Sequence, residues 1–69
     1  MPNVAPSVLT RMEKKVIQMT AHEKNLFEIA DEMGISESTV TKIKQSLREK
    51  FDCRSMIGVV YYATKFDLV

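Results

Sequence analysis

The stretch EIADEMGISESTV, residues 28 to 40, most constrains what this chain can fold into. Leu26, Ile29, Ala30 and Met33 recur at i, i+3, i+4 and i+7, which is one apolar face of a short helix. Gly34 ends that helix where the backbone must turn left-handed, a conformation glycine adopts without steric cost. Ile35 follows as a buried hinge residue, and Ser36 is placed to cap a new helix. One unbroken helix would fold more simply, so the break predicts that a set angle between two helices matters. Ala30 is small enough for close approach, and Val40 and Ile43 come round to meet Ile29, Met33 and Ile35. Such an ordered set predicts a helix-turn-helix, whose second helix is projected outward.

The rest of the chain reads as further helices. In LTRMEKKVI, Thr10 is an N-cap and Glu13 stands three residues on, completing a capping box, while Leu9 can pack like a staple. Met12, Val16 and Met19, widened by Ile17, form a buried stripe at helical spacing. The pattern stops around HEKN, giving a loop. Beyond the turn, Val40, Ile43, Leu47 and Phe51 predict the buried side of a helix over about 37–51. DCRS breaks the pattern, Ser55 can cap again, and a fourth helix is expected to run to about residue 65. The fold class is therefore all-α, a four-helix helix-turn-helix domain over 9–69. Residues 1–8 hold both prolines and no periodicity, and are read as a flexible tail or linker.

Composition excludes several functions. No apolar run approaches the roughly 18 residues of a membrane span, and MPNVAPSV lacks the basic start and apolar segment of a signal peptide. Cys53 is the single cysteine, so no internal disulfide forms, and a thiol-only chain without an export signal is expected in the cytoplasm. One cysteine and one histidine, His22, do not make a zinc cage. Cys53 reads as a partly buried small side chain, and His22, with only Glu23 beside it, as a surface residue. The five methionines suit core filling, and there is no glycine-rich phosphate loop. Neither catalysis, metal nor cofactor is expected.

The net charge of +1 points to no partner, but its distribution does. Residues 22–37 carry Glu23, Glu28, Asp31, Glu32 and Glu37 against Lys24, whereas 41–50 carry Lys42, Lys44, Arg48 and Lys50 against Glu49. With Val40, Ile43 and Leu47 turned inward, Ser38, Lys42 and Gln45 point away from the core and Thr41 lies beside them. Lys44 and Arg48 line one flank; Thr39, Ser46 and Lys50 line the other. Hydroxyl, amide and ammonium groups suit phosphate oxygens and base edges of a major groove. A polar, basic helix face is by itself commonly solvated surface; the helix-turn-helix core is what makes it an expected double-stranded DNA contact.

These residues resemble the LuxR-type (GerE- or NarL-type) DNA-binding domain of bacterial transcription regulators. The similarity rests on LTRMEKKVI at 9–17, EIADEMGISESTV at 28–40, and Lys50 before an apolar residue, and covers roughly 9–65. It implies four helices, with the fourth commonly used for dimerisation. It also implies DNA contacts at Thr39, Thr41, Lys42, Gln45 and Ser46, and a phosphate held by Lys50. An upstream receiver or sensor domain is expected if the chain is a fragment. Five positions depart from the family pattern. Met12 stands where arginine is usual, Glu23 where glycine is common, Leu26–Phe27 where a polar pair is usual, and Ile43 where many members have histidine.

The fourth helix carries two apolar stripes. By the family pattern Val59, Val60 and Ala63 face inward, which leaves Ile57 and Tyr61 outside, with Tyr62 at the margin and Gly58 between. Glycine within a helix costs about 1 kcal/mol relative to alanine, and close approach of a partner helix would account for it, so a weak homodimer is expected. The plainer alternative is an exposed tyrosine pair and a chance glycine. Two other functions compete: a protein-interaction module of the same fold that has lost DNA and pairs through helix four, and a sigma-factor region-four-like DNA-binding module. Leu26–Phe27 and the low net charge favour the interaction module; the basic third helix favours DNA. Salt discriminates them, because phosphate contacts weaken steeply as it rises.

Overall fold

The capping signals decide where the backbone turns in the computed structural model, which describes residues 9–69. The tail expected at 1–8 lies outside the described residues. Four helices follow in order: α1 (Arg11–Ala21), α2 (Leu26–Met33), α3 (Glu37–Phe51) and α4 (Met56–Lys65). No strand occurs among the described residues.

At the start of α1 the Thr10 hydroxyl accepts the Glu13 N–H at 3.0 Å, and Glu13 Oε1 accepts the Thr10 N–H at 2.9 Å. An equivalent box opens α2, which sequence reading missed. Asn25 Oδ1 accepts the Glu28 N–H at 2.8 Å, and Glu28 Oε1 accepts the Asn25 N–H at 2.9 Å. The signal was present as N-x-x-E, hidden in a stretch read only as loop. Gly34 sits at φ 69°, ψ 32°. Its turn is closed by the Ile35 N–H on the Ala30 carbonyl at 3.0 Å. Ser36 then caps α3, its Oγ accepting the Thr39 N–H at 3.1 Å. Each such cap contributes about 1 kcal/mol. Ser55 occupies the N-cap of α4, but its hydroxyl makes no capping bond.

The core lies where α3 meets the other three helices. Val16, Ile17, Ile29, Val40, Leu47, Phe51, Val59 and Ala63 are fully or almost fully buried, joined by Leu9, Met19 and Ala30. Met33, Ile35, Ile43, Met56 and Val60 are partly buried against it, so Ile35 and Ile43 are less enclosed than expected. Met12 departs further. It is 42% exposed and lines an open groove with Met33 and Ile35, while neighbouring Glu13 takes the inward position. Leu68, not anticipated, tucks into the core after a left-handed turn at Asp67 (φ 54°), its N–H held by the Ala63 carbonyl at 2.8 Å.

The buried methyl of Ala30 is the smallest side chain at the α2–α3 crossing. Ala30→Leu should therefore overpack it, at a typical cost of about 1–3 kcal/mol. Thermal melting tests this: an unchanged midpoint would show that Ala30 is not at a tight helix contact.

Candidate nucleic-acid interface

The outward side of α3 follows from what its inward side must bury. Val40, Leu47 and Phe51 point into the core. Ser38, Thr41, Lys42 and Gln45 are consequently exposed, with Thr39, Ser46 and Lys50 half-buried along one flank and Lys44 and Arg48 along the other. Two of the hydroxyls already serve the helix. Thr39 Oγ1 lies 2.8 Å from Ser36 Oγ within the cap, and Thr41 Oγ1 donates to the Glu37 carbonyl at 2.9 Å. Lys42 and Gln45, at the centre of the face, have no side-chain partner among the described residues. Sequence reading missed that Glu49 is exposed on the same side, four residues beyond Gln45. A carboxylate therefore closes the far end of the face and narrows its positive stretch.

Lys50 has a definite partner. Its ammonium lies 2.8 Å from both carboxylate oxygens of Glu13, tying the end of α3 to the first turn of α1. Glu13 is only 6% exposed, so its charge would be costly without this answer. Burial opposes its ionisation and is the largest single influence. The Lys50 ammonium and the Thr10 cap together outweigh burial and hold the carboxyl below its ordinary value of 4.5. The residue expected to grip a phosphate instead anchors α3 to α1 from behind. A pairing across 37 positions of sequence leaves no local spacing by which it could be read.

On α4, Ile57 is 82% and Tyr61 56% exposed, while Tyr62 is half-buried. Tyr61 meets Tyr62 edge-on with ring centroids 5.2 Å apart, and Tyr62 stacks on Phe66 at 6.2 Å. Gly58 answers to a contact within the chain, contrary to the expectation of a partner helix. A Cβ at Gly58 would lie 3.0 Å from Cys53 Sγ and 3.2 Å from Cys53 Cβ. The close approach that calls for glycine comes from this chain's own α3–α4 connection, and no partner helix is needed to explain it.

Residues 7–63 match the family described as bacterial regulatory proteins, luxR family (GerE). The chain belongs to the LuxR family. The HTH-type quorum-sensing regulator RhlR of Pseudomonas aeruginosa is 34% identical over 64 residues. That match takes in 93% of this chain but 27% of RhlR, so the chain spans about a quarter of the length of the curated relative it matches. As a LuxR-type helix-turn-helix domain, it falls among DNA-binding transcription regulators. Two departures from the LuxR pattern now have physical content. Glu23, at the common glycine position, adopts φ 63°, a left-handed conformation that costs a side-chain-bearing residue about 1 kcal/mol. Of the apolar pair, Leu26 packs on the core and Phe27 is left 65% exposed.

The Glu13–Lys50 tie should show in the pH dependence of stability. A carboxyl lowered by folding contributes stability that is fully present above its unfolded value and is lost as pH falls through the folded one. Glutamine can still complete the capping box but cannot answer the Lys50 charge. Glu13→Gln should cost on the order of 1–3 kcal/mol at pH 7. The difference from wild type should shrink as pH drops below about 4. Melting curves over a pH series measure it, and a gap that stays constant into acid would remove the ion pair from the account.

Proposed function

We propose that the chain binds double-stranded DNA sequence-specifically, with α3 in the major groove and Lys42 and Gln45 reading base edges. The observation that carries this is the unpartnered Lys42–Gln45 pair at the centre of the outward face, on a helix whose angle is fixed by the turn at Gly34. Ser38, Thr39, Thr41 and Ser46 lie beside that centre, where hydroxyls meet the sugar-phosphate strands. Lys50 serves this surface chiefly as an anchor, its charge shared with Glu13. The likeness to a named quorum-sensing regulator, over a fraction of that protein, supports the reading of a DNA-binding output domain for bacterial transcription. If the chain is a piece of a longer regulator, an upstream receiver or sensor domain would supply the signal. The site of action is the cytoplasm, where the DNA is; no helix among the described residues is long and apolar enough to cross a membrane.

Lys42→Ala is expected to lose on the order of 1–3 kcal/mol on the best selected duplex and to relax specificity. Wild-type affinity should fall steeply with salt. Unchanged affinity and base preference in both Lys42→Ala and Gln45→Ala would overturn the assignment of α3. Affinity indifferent to salt would favour the protein-interaction module, a reading supported by the exposure of Phe27.

The exposed Ile57 and Tyr61, with Tyr62 at their edge, support a weak homodimer through α4. Gly58 sits between them, although its own reason lies with Cys53. Two-fold pairing would set two α3 helices about 34 Å apart, one turn of DNA, and require a symmetric operator. Tyr61→Asp should dissociate the pair without unfolding the domain. Sedimentation with and without DNA tests this, and a strict monomer in both, binding single half-sites without cooperativity, would eliminate the dimer.

A further inference from the structure

The fifteen residues of α3 extend about 22 Å, and the turn at Gly34 holds only the first of them. Leu47 and Phe51 are buried farther along. Their burial decides which side of the helix faces inward, but it is non-directional and tolerates small changes of tilt and turn. Lys50 stands at the far end, with Nζ 2.8 Å from both carboxylate oxygens of Glu13, and hydrogen bonds of that length are directional. Glu13 is itself a fixed point. Its Oε1 also accepts the Thr10 N–H, its own N–H is bonded to the Thr10 hydroxyl, and Val16 and Ile17 on the same helix are wholly buried. The pair therefore ties the end of α3 to a part of α1 that cannot easily move.

We infer that Glu13 is a positioning residue for base recognition: through Lys50 it sets the tilt and turn of α3, and so where Lys42 and Gln45 meet base edges. Lys50 itself holds no phosphate. This rests on the reading of α3 as the DNA-contacting helix and goes beyond it, because it gives a buried carboxylate on another helix a share in discrimination. Base-edge contacts require placement within about 0.5 Å, whereas attraction to phosphates acts over roughly 10 Å. Loosening α3 should therefore lower specific binding and leave non-specific binding as it was.

The test compares affinities of the full chain for its best selected duplex and for a scrambled duplex of equal length, over a salt series. Wild type, Glu13→Gln, Lys50→Met and the double variant are measured. Loss of folded protein lowers both affinities by the same factor, so their ratio reports positioning and not stability. Each variant should lower the ratio about three- to fivefold, less than the loss of a whole base contact. The double variant should fall no lower than the singles, because the two residues act as one unit. In Lys50→Met the salt slope should keep its wild-type value. A slope shallower by about one would make Lys50 a phosphate contact and overturn the inference. So would an unchanged ratio, or losses that add in the double variant. The double variant leaves no buried charge unanswered, so it carries the test if a single variant fails to fold. Equal wild-type affinity for the two duplexes overturns the reading of α3 and this inference with it, whereas the preceding outcomes leave that reading standing.

Discussion

The left-handed turn at Gly34 is the constraint on which the presentation of α3 depends. At φ 69° it lets the Ile35 N–H reach back to the Ala30 carbonyl, closing α2 while releasing the chain into a new direction. Ser36 immediately caps the next helix, so only two residues separate the end of one helix from the cap of the other. With so little chain between them, the angle of α3 is set by backbone geometry and by the burial of Ile29, Ala30 and Val40 at the crossing. An outward face of Ser38, Lys42 and Gln45 follows from that angle.

A short turn fixes only one end of a fifteen-residue helix. The other end is held by charge: Lys50, near the C-terminus of α3, grips a carboxylate that simultaneously caps α1. Glu13 thereby couples the start of the first helix to the end of the third. The Glu13 side chain is almost wholly buried while Lys50 stays about a third exposed, so the carboxylate depends on this partner although water still reaches the ammonium. The same arrangement moves Lys50 from the outer surface toward the frame. The positive stretch of α3 accordingly centres on Lys42, with Lys44 and Arg48 at its side and Glu49 at its end.

What the sequence revealed about this fold was whatever is local. Helix periods, the Thr10–Glu13 box, the Gly34 turn and the Ser36 cap each lie within a few residues, and spacing alone identifies them. The inward and outward sides of α3 were readable for the same reason. Three features escaped because they depend on distant or end-of-helix geometry. Lys50 pairs with Glu13 across the domain. Met12 opens into a groove although its helical position suggested core. Gly58 answers to Cys53, which lies in the preceding connection and not on the helix wheel. Asn25 is a different kind of miss, since its capping partner Glu28 stood at the expected spacing. There the apolar interest of Leu26 and Phe27 masked a polar signal.

The α1–α2 connection carries a consequence of its own. Glu23 takes the left-handed conformation that glycine would adopt freely, held there by its N–H on the Thr20 carbonyl at 3.0 Å and by the Lys24 N–H on the Met19 carbonyl at 3.0 Å. Every residue from Ala21 to Asn25 is exposed, so little apolar burial reinforces those two bonds. In terms of hydrogen exchange, such a segment opens at a fraction of the free energy needed to unfold the core. The strain at Glu23 is released on opening, which lowers that energy further. Exposed backbone bonds and little apolar burial thus put the α1–α2 connection at the low-stability end of the fold, apart from the crossing at Gly34.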